Sequence, residues 1–447
     1  MRKIEERHFM SKELKKVMFS DVVGYEKEKV ELEEIKNFIL NVSKYEEMGA
    51  RIPKGILLVG ESGNGKTLMA KALANETSIP FYSLDDVSGD KKVLSIRELF
   101  AKARNNSPCI IFIDEIDKID NNGGFDGMMP NKESPLIREL LIQMDGFEPN
   151  SGIMVIATAN GTEFLSKSLL RSGRFDRTIE IRMPNTLERK KLFEYYSSNK
   201  KIDKSIDFEK IAIRTSGLSC ADVDNLLNDA ALIATRNNKK KIEMADLEQA
   251  IDRVMLGSAT TKQVSDEIRR MVATHEVGHA VVMIKTGGLK DIDKISIISR
   301  GKAMGFVRRM CAYDEMEYEF TTKSKLVNSI ISLYGGLAAE KVMLKETTSG
   351  CVQDLDDARG RIVVMIGKFG MCGIKNAVDG SYSTIHPVCS NDHKRLFERK
   401  VDRLSRKYFN KALRIIKANK KLFNELYNKV LEENVLYKEE IETIVQK

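Results

Sequence analysis

Apolar residues follow two different rhythms along this chain. Between residues 56 and 181 they fall into short runs, at 56–59, 79–82, 109–113, 153–157 and, interrupted by Glu180, 178–181, separated by helical or loop sequence. Runs without polar alternation are what strands covered on both faces require, so they predict a parallel sheet layered with helices. A charged segment ending near Leu40 carries its apolar residues at helical spacing and predicts a helix ahead of the sheet. From about residue 184 the strand-like runs stop. Residues 187–256 read as helices, with Leu226, Leu227, Ala230, Ala231 and Ile233 on apolar faces. The stretch 257–262 has the composition of a linker, and the remainder is mostly helical. It holds one β-like insertion from 295 to 307 and a long C-terminal helix whose Leu404, Tyr408, Ala412, Ile415, Leu422 and Leu426 form a core face. The expected organisation is a tail over 1–16, an α/β domain over 17–186, a helical domain over 187–258, a linker over 259–265 and a mostly helical domain over 266–447.

The first strand-like run ends in a glycine-rich loop, Gly60-Glu61-Ser62-Gly63-Asn64-Gly65-Lys66-Thr67, and a helical pattern begins at Thr67. Strand, loop and helix in that order make a phosphate cradle, because consecutive backbone N–H groups at a helix N-terminus point at phosphate oxygens. Lys66 then faces the β- and γ-phosphates, and the Thr67 hydroxyl faces Mg²⁺. The run at 109–113 delivers Asp114 and Glu115 to the carboxyl edge of the sheet, where ligands of such sheets sit. Asp114 suits the Mg²⁺ shell, and Glu115 the orientation and deprotonation of an attacking water.

A second chemistry lies in the C-terminal part. His275-Glu276-Val277-Gly278-His279 sets two imidazoles four residues apart on one helix face, where both reach a single Zn²⁺, with Glu276 as general base. Histidine occurs only five times in 447 residues, so this spacing is a strong signal. A catalytic zinc needs a third protein ligand. By chemistry the candidates are Glu340, Asp354, Asp356, Asp357, His386 and His393, and spacing does not choose among them.

Composition works mainly by exclusion. The formal charge of +8 is spread over a chain that is 31% charged, with both signs interspersed, so no nucleic-acid site is expected. The six cysteines include no Cys-x-x-Cys pair, which suits reduced thiols and a cytoplasmic setting; Cys109, in an apolar run, reads as a buried small hydrophobe. No apolar run approaches the roughly 18–20 residues that span a bilayer, and the start shows no signal peptide.

Taken together these residues resemble the FtsH family of ATP-dependent zinc metalloproteases across nearly the whole chain. Phe19-Ser20-Asp21-Val22-Val23-Gly24 is similar to the family's opening motif, and 108–117 to its acid-ending strand. Residues 144–147 and 169–177 are similar to its inter-subunit signalling segments. The resemblance implies an α/β AAA+ P-loop ATPase domain with a helical lid, followed by a mostly α-helical zinc metalloprotease domain. It implies Zn²⁺, ATP and Mg²⁺ as cofactors, polypeptide substrates and a homo-hexamer. By the same resemblance Val23 and Gly24 contact the adenine, Asn160 senses the γ-phosphate, 217–222 forms the lid segment near the nucleotide, and Arg174 and Arg177 are arginine fingers acting on the neighbouring subunit. Asp354 becomes the third zinc ligand and Glu340 a supporting acid. The strand near 295–305 lies beside the protease cleft, where an exposed edge would hold substrate by strand addition.

The departures from the family carry expectations too. Its members usually have membrane helices before the ATPase, and this sequence shows none. At the pore, where the family has an aromatic, this chain reads Val87-Ser88, and a serine grips a translocating chain poorly. Glu61, Ser62 and Asn64 stand where the family has prolines and threonine, while the loop's glycines, lysine and threonine remain. The expected activity is ATP-driven unfolding and feeding of polypeptides to the zinc site. The alternatives are a remodelling ATPase with a non-proteolytic C-terminal half, or a peptidase only weakly coupled to its motor.

Overall fold

The computed structural model describes residues 17–84, 92–120, 134–146, 152–257, 265–300, 304–309, 322–372 and 391–446. Val87 and Ser88, His386 and the His393 side chain lie outside the described residues. The chain divides into two compact units. The first runs to Glu209 and includes Gly217–Ile242; the second comprises Lys210–Ser216 and Glu243–Lys447.

In the first unit, α1 (Glu26–Leu40) and α2 (Val42–Glu47) precede β1 (Gly55–Val59) and α3 (Lys66–Thr77). There follow β2 (Phe81–Ser83), α4 (Lys92–Asn105), β3 (Cys109–Ile113), α5 (Ile116–Asp120), α6 (Pro135–Asp145), β4 (Ile153–Ala159) and β5 (Phe175–Glu180). Helices α7 (Thr186–Ser197), α8 (Phe208–Arg214, shared with the second unit) and α9 (Cys220–Arg236) complete it. The five strands form one parallel sheet in the order β2-β3-β4-β1-β5. All five residues of β1 and of β3 and all seven of β4 are buried, which is why these strands carry no polar alternation. Sealing an Ile or Leu in such a layer is worth about 1.5–3 kcal/mol. The register pairs Val59 with Ala159 and Ile113 with Ala157, so Gly60, Asp114 and Asn160 emerge at the same carboxyl edge.

The second unit begins with α10 (Met244–Leu256) and the long α11 (Asp266–Lys285), which starts at Ser265, whose hydroxyl accepts from the Ile268 amide at 3.3 Å. Strands β6 (Ile292–Ser296) and β7 (Phe306–Arg309) follow, then α12 (Lys323–Leu333), α13 (Gly335–Ala339), a π-helical turn (Glu340–Leu344), α14 (Val352–Gly367), α15 (Asn391–Ala418), α16 (Lys420–Glu433), β8 (Val435–Tyr437) and α17 (Lys438–Gln446). Helix α11 is enclosed: Ala273, Val277, Ala280, Val281 and Val282 have no exposed surface and share a core with Ile330, Ala338, Ile362 and Leu426. Glycines permit the tightest crossing. A Cβ on Gly278 would lie 2.5 Å from the Gly335 carbonyl, so α11 and α13 touch almost backbone to backbone.

Two expectations shift here. The predicted C-terminal helix is two helices, broken at Asn419, with Leu404, Tyr408, Ala412 and Leu426 buried as expected. The β-like insertion is an antiparallel pair with β6 in the centre of a three-stranded sheet, ordered β7-β6-β8. Both sides of β6 are therefore occupied, and among the described residues the strand edge beside α11 is that of β7. A Cβ on Gly305, next to β7, would come within 2.9 Å of Glu276 Cγ.

Candidate nucleotide and metal sites

The phosphate loop is shaped by positive φ at Gly63 and Gly65, both +87°, with Gly65 capping α3. Gly60 has φ +154°, and a Cβ there would overlap the Ile181 carbonyl. Lys66 folds back over its own loop, donating to the carbonyls of Gly60 (2.5 Å) and Glu61 (2.9 Å) and to Asn160 Oδ1 (3.3 Å). Burial pulls its ammonium below the ordinary lysine range, against Asp117, Asp114 and Glu115. The Thr67 hydroxyl donates to Asp114, 3.0 Å from Oδ2. Asn160 is fixed from the other side, its Nδ2 donating to Asp117 Oδ2 at 2.9 Å. Thr158 on β4 donates to Asp114 Oδ1 at 2.5 Å and accepts from the Glu115 amide at 2.8 Å. Glu115 has φ +49°, a conformation costing a non-glycine residue about 1–2 kcal/mol, and its carboxylate pairs with Lys118.

The expected nucleotide contacts outside the loop gather at the same edge. Val23 and Gly24 (φ +80°) are held through Tyr25, whose buried phenol donates to the carbonyl of Arg182 at 3.1 Å and whose amide donates to Glu188 at 3.3 Å. The Ala221 amide donates to Gly63 O at 3.1 Å, bringing the 217–222 segment onto the loop. Asn64 is 1% exposed, and neither atom of its amide has a protein partner. A cradle with a free buried amide and a cation folded onto its own carbonyls fits Mg·ATP.

In the second unit, three atoms converge. His275 Nε2 lies 3.0 Å from His279 Nε2 and 3.1 Å from Asp354 Oδ2, and His279 Nε2 lies 3.3 Å from the same oxygen. Ligand atoms about 2.0–2.1 Å from a tetrahedral Zn²⁺ stand roughly 3.3–3.4 Å apart, so the triangle has nearly the size the ion demands. The outer nitrogens settle the tautomers. His279 Nδ1 faces the Ser332 carbonyl at 2.7 Å, an acceptor only, so it carries the proton. His275 Nδ1–H donates to Glu340 Oε1 at 2.7 Å. Glu340 is itself held by the Thr348 amide and hydroxyl at 2.7 and 3.0 Å. Burial works against its ionisation, but these bonds keep its carboxyl below the ordinary range.

Both Nε2 atoms thus face a carboxylate oxygen, an arrangement that calls for a cation between them, a proton or a metal ion. Burial opposes a charge on His275, yet Asp354 and Glu340 outweigh it and raise the imidazole to about 10. Asp354, also opposed by burial, is held far below its ordinary value by the two imidazoles. The donor set fits Zn²⁺. Burial raises the Glu276 carboxyl, moderated by both histidines. Among the described residues this trio is the one group with metal-binding spacing. Asp356 and Asp357 are exposed, Asp357 accepting from Gln353 at 2.9 Å.

Comparison with known proteins agrees with both halves. Residues 56–183 match the model of the ATPase family associated with various cellular activities, 205–249 the AAA+ lid domain and 262–444 peptidase family M41. The ATP-dependent zinc metalloprotease FtsH 2 of Symbiobacterium thermophilum is 38% identical over 90% of this chain and 70% of its own length. The chain belongs to the FtsH family. The FtsH of Parabacteroides distasonis is 36% identical over 97% of this chain and 65% of its own, and that of Bacillus subtilis 40% over 81% and 57%. The chain thus spans from a little over half to about two thirds of the length of these relatives. The fold is that of an AAA+ domain with its lid followed by an M41 peptidase domain. No described helix is long and apolar enough to cross a membrane.

The two arginines expected to act as fingers stand apart from the phosphate loop of their own chain. Arg177 pairs in register with Ile56, about 13 Å along β1 from Gly60. Its guanidinium bonds Glu34 at 2.7 Å and lies over the Phe38 ring; Arg174 grips Asp145 at 2.8 and 3.0 Å and the Ser168 carbonyl at 2.6 Å. Neither is placed to serve its own loop.

Sequence reasoning missed Thr158, Asp117, Ser332 and Gly336. Thr158 had a signal, as a polar residue in an otherwise apolar run. Gly336 had a weaker one: a Cβ there would overlap the His275 ring, so the Gly-Gly pair of 335–336 makes room for a ligand. Ser332 acts through its carbonyl, which every residue possesses, and so left none.

Proposed function

We propose that this chain is an ATP-dependent zinc metalloendopeptidase that assembles as a homo-hexamer and uses ATP hydrolysis to feed polypeptides to the zinc site. The observation that carries the reading is the convergence of His275, His279 and Asp354 beside Glu276, on a chain that also carries the phosphate loop. Zn²⁺ held by those three residues would polarise the scissile carbonyl and acidify a water. Glu276, with its carboxyl raised by burial, takes the proton from the attacking water and delivers it to the departing amine. Glu340 and the Ser332 carbonyl keep both imidazoles in the tautomer that presents Nε2. The free edge of β7 holds the substrate backbone by strand addition, which favours broad specificity.

In the ATPase unit, Lys66 exchanges its loop carbonyls for the β- and γ-phosphates, while Thr67 and Asp114 open to share Mg²⁺. Glu115 orients the attacking water and Asn160 reads the γ-phosphate. Val23 and Gly24 line the adenine side. Arg174 and Arg177, remote from their own loop, act on the neighbouring subunit's nucleotide, which is what supports a ring. The proposed domain limits are 17–186, 187–258 and 266–447. Casein degradation, assayed with and without ATP, with a zinc chelator and in Lys66→Ala, tests the coupled reading. Loss under all three withdrawals is expected; loss with the chelator alone would reduce the protein to a peptidase with a silent motor.

A further inference from the structure

Seven charged side chains, none of them used by either reaction, meet inside the second unit. Glu248 and Asp252 come from α10, Asp293 and Lys294 from β6, Arg308 from β7, Arg300 from the segment between the strands, and Arg214 from the end of α8. Asp293 and Lys294 are 0% and 1% exposed. Arg308 bonds Asp293 at 2.5 Å, Glu248 at 2.8 Å and Asp252 at 2.9 Å. Lys294 reaches Asp252 at 2.6 Å, Arg300 reaches the same carboxylate at 3.2 Å, and Arg214 bridges Glu248 (2.6 Å) and Asp293 (2.8 Å).

The backbone is shaped to make this cluster. Adjacent strand residues normally point to opposite faces, but the β6–β7 register slips between Ile292 and Lys294, and this bulge lets both Asp293 and Lys294 join the network. Well-packed apolar side chains would commonly give equal or greater stability in such a place. What forked guanidinium–carboxylate bonds add is a single allowed geometry. The elements they join are informative. The first six residues of α10, Glu248 among them, fall in the stretch matching the AAA+ lid, and Arg214, in the same stretch, lies five residues before Ser219, whose hydroxyl adjoins Gly63 of the phosphate loop. At the other end, the start of β7 packs on Val272 and Glu276 of α11.

We propose that this buried ion network is the joint through which the lid sets the position of the β7 edge against Glu276. Asp252 and Glu248 are then positioning residues, tying nucleotide state to substrate grip. The inference rests on the proposed function for its meaning, while the joint itself is measured separately. Hydrogen–deuterium exchange on the full chain, with and without ATPγS, is the direct test. Wild type should show a nucleotide-dependent change at residues 306–309, and Asp252→Asn should lose it while still binding ATPγS. In peptide cleavage Asp252→Asn should raise KM about tenfold with kcat within about twofold, and Asp252→Glu should recover most of the loss. Arg300→Gln, which removes a single cation, gives the same comparison in milder form should Asp252→Asn fail to fold. The proposal is overturned if 306–309 ignore nucleotide in wild type, or respond equally in the folded variants. A wild type that cleaves nothing with zinc would instead sink the proteolytic reading, leaving the exchange result to decide the joint.

Discussion

The two sites stand ready for their ligands in opposite ways. Around the phosphate loop the groups satisfy one another: Lys66 rests on two carbonyls and Asn160, and Thr67 donates to Asp114. Nucleotide binding exchanges these bonds for others, and each exchange is worth only about 0.5–1.5 kcal/mol. Such a site suits repeated binding and release. In the metal site every outer bond is already committed, His275 to Glu340 and His279 to the Ser332 carbonyl, while the three inner atoms crowd within 3.0–3.3 Å of each other. The phosphate site is arranged for exchange of partners; the metal site is framed by fixed outer bonds around its three inner atoms.

That contrast can be broken most sharply at the base. Glu276→Gln should lower casein and peptide hydrolysis about 10²–10⁴-fold while zinc content and ATP hydrolysis hold steady, as read by steady-state kinetics and metal analysis. A residual rate within tenfold of wild type would remove Glu276 from the chemistry. The rigidity of the metal site is tested next. Glu340→Gln or Gly336→Ala should weaken zinc binding about 10–100-fold in chelator competition and leave ATPase activity intact, because one releases the His275 tautomer and the other displaces its ring. Unchanged affinity in both would mean the frame is not what holds the ion. The smallest effect belongs to the adaptable site. Thr158→Val removes one bond to Asp114 and should cost roughly 3–10-fold in ATP turnover. A loss as large as that of Lys66→Ala would show the nucleotide site to be as rigid as the metal site.

The same contrast explains what could be read from the sequence. The sheet was legible because its strands are buried on both faces, and β3 falls where its apolar run does, at Cys109–Ile113. The phosphate loop and the histidine pair were legible because their chemistry demands adjacent residues. Strand β6 begins at Ile292, three residues ahead of the β-like run. Its Asp293 and Lys294 look like surface positions, yet both are buried in ion pairs. Strand β8 leaves no mark in the sequence, since three residues carry no periodicity. Its pairing with β6 moved the free edge to β7. Asp354 was one carboxylate among several until the family resemblance selected it; in the fold, the turn before α14 turns it toward His275 and His279 while Asp356 and Asp357 remain exposed.

The central claim is that His275, His279 and Asp354 hold one ion that Glu276 works beside. Metal analysis of purified wild type and Asp354→Ala, together with the absorption spectrum after Co²⁺ replacement, tests it most directly. One equivalent of zinc per chain and a tetrahedral cobalt spectrum in wild type, both lost in Asp354→Ala with ATP hydrolysis retained, is the predicted result. Full zinc occupancy and an unaltered cobalt spectrum in Asp354→Ala would contradict it.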